Sequence, residues 1–137
     1  LRQVCQRWRV PAECRDVALV VAKEHGNIHR SLDLNPAAAL RLLERCDALR
    51  RPERFAQVLQ ACECDARGRL TYAEHDYPQA RKLQAALHAA QSVQAGEVLQ
   101  RARAALPATQ GTMSQGDWAA THIRRARQDA IAQLWTH

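Results

Sequence analysis

Between Asp47 and Arg69 the chain reads DALRRPERFAQVLQACECDARGR, and this stretch leaves few folding options. Proline has a fixed φ and no amide hydrogen, so Pro52, set directly after Arg50 and Arg51, suits the first position of a helix. Behind it Phe55, Val58, Leu59, Cys62 and Ala66 recur at helical spacing. That spacing predicts one apolar face, with Gly68 as the cap that ends the helix. A helix with such a face has to bury it against a second element.

The rest of the chain offers partners of the same kind. Residues 2 to 9 read as the last turns of a helix, stopped where Pro11 forces Val10 to be extended. Pro11 opens the next helix, in which Cys14, Val17, Ala18, Val21, His25 and Ile28 form a stripe to about Arg30, with Gly26-Asn27 weakening its end. Asn35-Pro36 is a cap followed by a first-turn proline, and Ala39, Leu40, Leu43 and Cys46 carry a helix to about Leu49. Asp47 falls on the inner side of that helix, one turn after Leu43. After a loop over 70–78, helices are predicted from Gln79 to about Val93 (Ala80, Leu83, Leu87 and Ala90 inward) and from Ala95 to Leu106 (Val98, Leu99, Ala102 and Leu106 inward). The segment PATQGTMSQG, 107–116, has the composition of an exposed loop. A last helix from Asp117 to about Trp135 is predicted to bury Ile123, Ala126, Ala130 and Leu134, leaving Arg124, Arg125 and Arg127 on its other sides. With apolar content mainly in Ala, Leu and Val, and one Phe, two Tyr and three Trp, the expectation is an all-α fold, an irregular bundle of about six helices.

The formal net charge is +6, and the sequence pI is about 9.5. Nearly all the positive charge is arginine, whose planar fork matches phosphate in a bidentate way. Arg50, Arg51 and Arg54 at one end of the central helix, with Arg67 and Arg69 at the other, are the candidate phosphate-binding residues. The competing reading is a solvated surface in which Glu63 and Asp65 pair with those arginines and the helix end caps itself.

Other chemistry is thin. His25 and His29 lie one turn apart, the spacing of a two-His metal pair, but no Glu follows the first and no third ligand can be placed, which favours a structural or surface role. Asp47, on an apolar face, needs a partner or a metal, and a neighbouring arginine is the ordinary partner. Cys62 and Cys64 diverge by roughly 200° on a helix and cannot form a pair there. Five cysteines with no C-x-x-C read as buried small hydrophobes in a reducing compartment. There is no Gly-rich phosphate loop, no supported Ser/His/Asp set and no acid pair placed for Mg²⁺. The chain starts with Leu1 inside a helical-looking stretch and has no apolar run near 18 residues, from which we expect a cytoplasmic piece of a longer protein with no membrane partner.

RWRVPAECRDVALVVAKEHGNIHR (7–30), LNPAAALRLLERCDALRRPERFAQVLQACECDARGR (34–69), YPQA (77–80) and IRRARQDAIAQLW (123–135) resemble the C-terminal part of bacterial CCA-adding enzymes, the tRNA nucleotidyltransferases often called multifunctional CCA proteins. The resemblance implies a parent that adds or repairs the 3′ CCA end of tRNA from CTP and ATP with Mg²⁺. Its nucleotidyltransferase head and the His and His-Asp motifs of an HD phosphohydrolase domain, which binds a divalent metal, would lie upstream. Residues 1–50 would then be the remainder of the HD domain, with Asp47 of LLERCDAL its closing metal ligand, and 51–137 a helical C-terminal domain. Partners implied are tRNA and the missing N-terminal regions; this chain alone would hold no cofactor and no catalytic residue. The insertion TMSQGDWAATH before the IRRAR segment departs from the family pattern, so nothing is carried onto 107–122. A different class of function stands beside it: a structural or self-association module, such as a homodimer, in which exposed Trp8, Trp118 and Trp135 would anchor the contact.

Overall fold

The computed structural model describes residues 1–7, 11–69, 76–105 and 115–136. Among them the fold is all-α, with seven helices and no strand: α1 (Arg2–Arg7), α2 (Ala12–His29), α3 (Pro36–Arg45), α4 (Pro52–Arg69), α5 (Pro78–Gln91), α6 (Ala95–Ala105) and α7 (Gln115–Trp135), plus a 3-10 turn at Ser31–Asp33. Prolines 36, 52 and 78 each open a helix as their chemistry favours. The Asn35 side chain accepts the Ala38 amide at 2.8 Å, the N-cap bond its sequence position implies.

Helix α2 packs on α4, α5 on α7, and α3 bridges to both α5 and α7, while α6 leans on α7. One apolar core joins α2, α3, α4, α5 and α7, from Ile28 through Leu43, Phe55, Cys62 and Leu83 to Ile131. Phe55 is its largest fully buried side chain, and burial of that size stabilises by about 1.5–3 kcal/mol. The stripes expected on α4 and α5 are the ones buried.

Several expectations are corrected. Gly68 is a helical residue of α4 and not its cap, whereas α2 runs through Gly26 to His29, close to the expected end. On α7 the fully buried residue is Ile131, with Trp118 8% exposed, whereas Leu134 is 40% exposed. The reason is that α7 is held between α6 on one side and α3 and α5 on another, so it presents two faces, and a single stripe does not describe it. Arg124 therefore points to α3 instead of away from the core. Cys46 and Cys62 are buried, and burial pushes their thiols up to about 12 and about 11 respectively. Cys14 and Cys64 are exposed, contrary to the reading of all five as core residues. Leu106, Trp8 and the loops over 70–75 and 107–114 lie outside the described residues.

Long polar side chains tie the helices where small apolar residues leave thin contacts. Glu24 of α2 is 2% exposed. Its carboxylate accepts Arg45 Nε from α3 at 3.0 Å and Asn27 Nδ2 at 2.8 Å. Burial alone would raise the Glu24 pKa, but these bonds and the Arg45 charge outweigh it and hold the carboxyl below its ordinary value. At the opposite edge, Lys82 Nζ of α5 donates to Leu32 O at 2.7 Å and sits 4.2 Å from the centre of the Trp135 ring, joining the 3-10 turn to α7. No helix among the described residues is long and apolar enough to cross a membrane.

A lowered folded-state carboxyl pKa contributes stability that is complete above the unfolded value, about 4.3, and is lost as pH falls through the folded value. Glu24→Gln is therefore expected to unfold at lower urea than the native chain at pH 7, with the gap closing as pH drops below about 4. Arg45→Met, which leaves Glu24 buried without its main partner, should cost about 1–3 kcal/mol at pH 7, measured by the same urea titrations.

Candidate functional site

The corner between α3 and α4 gathers most of the residues singled out from sequence. Helix α3 stops at Arg45, earlier than the stripe suggests, because Asp47 takes a left-handed conformation with φ 54°. The Asp47 amide donates to Glu44 O at 3.0 Å and the Ala48 amide to Leu43 O at 2.9 Å. This double bond pattern is the Schellman end of a helix, with Asp in the place usually taken by Gly. Ala48 and Leu43, both 0% exposed, supply the apolar contact that accompanies such an end. Asp47 is thus not on the inner face of a helix. Its carboxylate lies at the surface of the turn and accepts Arg50 at 2.7 Å.

The arginines of this corner do different things. The Arg50 side chain is 79% exposed and pairs with Asp47. Arg51 stands 3.9 Å from Asp16 of α2. Arg54, one turn into α4, reaches back and donates to Cys46 O at 2.8 Å. That bond satisfies a carbonyl at the negative end of α3 and gives Arg54 a structural task. Across the corner, Arg127 of α7 joins Arg50, Asp47 and Glu44 around a cavity of about 380 Å³. The Arg127 Nε atom is buried without a hydrogen-bond partner. A second opening, of about 460 Å³, continues between α3 and α7 along Arg41, Arg45 and Arg124. There Arg124 grips Glu44 through both nitrogens at 3.0 and 3.2 Å.

Arg67 and Arg69 are not part of this corner. They lie at the far end of α4, and 18 residues at 1.5 Å each set the two ends about 27 Å apart. Arg67 pairs with Glu63 one turn earlier, at 3.4 Å. As expected from the sequence, the candidate arginines stand at the two ends of one helix, in two separate basic regions. Arg41, Arg124 and Arg127 join the first, and sequence reading did not select them because their helix faces were assigned by one stripe each.

The two histidines are structural. His25 Nδ1 bonds Val21 O at 2.9 Å. His29 spans three elements: Nδ1 meets the Tyr77 hydroxyl at 2.7 Å and Nε2 meets Asp65 of α4 at 3.1 Å. Burial raises the Tyr77 hydroxyl pKa well above its ordinary value. Among the described residues no group of three or more His, Cys, Asp or Glu side chains is arranged to hold a metal. Trp118 is buried, and Trp135 packs on the core under Lys82, so neither is an exposed anchor for self-association.

The fold and the corner define an arginine-rich helical module. Its relatives place it further. The chain is 58% identical over 135 residues, 98% of its length, to a multifunctional CCA protein of Paracidovorax citrulli. It is 53% identical over its full length to one of Acidovorax sp. (strain JS42). With one of Cupriavidus taiwanensis it shares 65% identity over 98 residues, 72% of the chain. The chain spans about 30% of the length of the first two and 24% of the third. No family model and no solved structure matches it. The chain belongs with the multifunctional CCA proteins and corresponds to their C-terminal part.

The left-handed turn makes a prediction that separates a conformational role of Asp47 from a ligand role. Asp47→Gly removes the backbone strain while losing an exposed ion pair, so stability should change by no more than about 1 kcal/mol. Asp47→Val, β-branched at φ 54°, should destabilise by about 1–3 kcal/mol. Urea midpoints of the two variants check this.

Proposed function

We propose that this chain is the tRNA-facing C-terminal part of a CCA-adding enzyme, whose whole length adds or repairs the 3′ CCA end of tRNA from CTP and ATP with Mg²⁺. The observation that carries the reading is the 58% identity to a multifunctional CCA protein across 98% of the chain. In this reading the helices hold RNA and brace the catalytic parts of the protein, and they transfer no nucleotide themselves. Phosphate contact falls to Arg50 and Arg51, exposed or half-exposed at the α3–α4 corner, with Arg54 keeping the corner in shape. Arg67 and Arg69 meet a different stretch of RNA about 27 Å away. A soluble cytoplasmic enzyme fits this role.

Residues 1–50 are taken as the end of an HD-type phosphohydrolase domain and 51–137 as the helical C-terminal domain. Residues on both sides of position 50 share one apolar core, so in this reading the boundary is one of origin and not of packing. Asp47 as a metal ligand would need its other donors from outside the described residues.

Binding of tRNA should weaken steeply with salt, because each phosphate contact releases counterions. Filter binding across a salt series is expected to show a log–log slope that falls by about 1 for each of Arg50→Ala and Arg51→Ala. Binding no more salt-sensitive than that of a charge-matched helical protein would refute the RNA role. The chain alone should incorporate no labelled CTP or ATP into a tRNA trimmed at its 3′ end, and incorporation would refute the division of labour.

A further inference from the structure

The apolar stripe of α2 is only partly used by the core. Ile28 at one end is fully buried, but Cys14, Val17, Ala18, Val21 and Ala22 line an open groove of about 700 Å³ between α2 and α4. Gln57, Ala61 and Asp65 of α4 line its other wall, and Glu13 and His25 join the lining from α2. Leu1 lines the same groove, and Val4 of α1 is 54% exposed nearby in the chain. An apolar floor with a polar rim is the form of a surface that receives another protein segment, and a stripe repeated over three turns of helix is not an isolated surface hydrophobe.

We infer that this groove is the seat of the preceding part of the same protein. Relatives that match this chain at 58 and 53% identity are matched over only 30% of their length, in their C-terminal part, so most of their residues precede the matched portion. Leu1, the residue through which any such portion connects, is itself in the groove. A segment joined there is held at high effective concentration over the floor formed by Val17, Ala18 and Val21, so it needs little intrinsic affinity to occupy it. A second copy of the chain has no such advantage. The inference rests on the family relation and not on RNA binding, so the two stand or fall separately.

The exposed cysteines give the test. Cys14 lies in the groove, while Cys64 is exposed on α4 and is not among its lining residues. In the full-length protein, maleimide labelling followed by peptide mapping should modify Cys14 at least roughly tenfold more slowly than Cys64, at a ratio independent of protein concentration. In the 137-residue chain both should label readily. Val17→Asp in the full-length protein should speed labelling of Cys14 while Cys46 and Cys62 stay protected, which reports an intact core. If that variant exposes Cys46 and Cys62 as well, the rates in the native full-length protein decide. Equal rates at Cys14 and Cys64 in that protein overturn the inference, and so does Cys14 protection that grows with protein concentration, which would assign the groove to a second copy.

Discussion

The architecture depends on one residue leaving the helical region of backbone space. Asp47 at φ 54° ends α3 a full turn before its apolar stripe runs out. Across that reversal, Leu43 of α3 and Phe55 of α4 come to share one core. The reversal is secured from several directions: two amide bonds back into α3, the buried Ala48, the Arg50 pair, and the Arg54 guanidinium on the Cys46 carbonyl. Left-handed backbone in a non-glycine residue costs on the order of 1 kcal/mol. These contacts offset it.

The helices are rich in alanine, and contacts between alanines are thin. The structure compensates with long side chains that cross from one element to another. Glu24 and Arg45 join α2 to α3, His29 joins α2 to both α4 and the residue before α5, and Arg124 joins α7 to α3. Such bonds are directional, so they fix the angle and register of neighbouring helices more than they add stability. The cost is that several polar atoms must be placed together, and Arg127 Nε and Arg54 Nε are left without partners.

What could be read from sequence follows from which interactions are local. Helix starts at Pro36 and Pro52 were legible because proline acts within one turn, and α5 begins at Pro78, one residue before the expected Gln79. The buried faces of α4 and α5 were legible because their core residues fall on one helical stripe each. Helix α7 was misread because it has two, and the burial of Ile131 in place of Leu134 depends on where α3 and α5 stand. The same holds for the candidate site. The Arg50–Arg51 turn was visible as a pair of adjacent letters, but its closeness to Arg127, some 75 residues later, is a property of tertiary packing alone. A non-glycine residue in a Schellman position carries no periodic signal, and Asp47 was assigned to a helix for that reason.

The placement of α7 has a consequence for the order in which the protein can assemble. Its Ile131 is a fully buried member of the core, and its side chains close against α3, α5 and α6, all of which are synthesised earlier. During translation the pairing of α2 with α4 can form as soon as α4 has left the ribosome, whereas the apolar sides of α3 and α5 stay uncovered until the last helix emerges. A ribosome that stalls within α7 would thus release a chain with a formed corner and an open core, the kind of species that chaperones and proteases recognise.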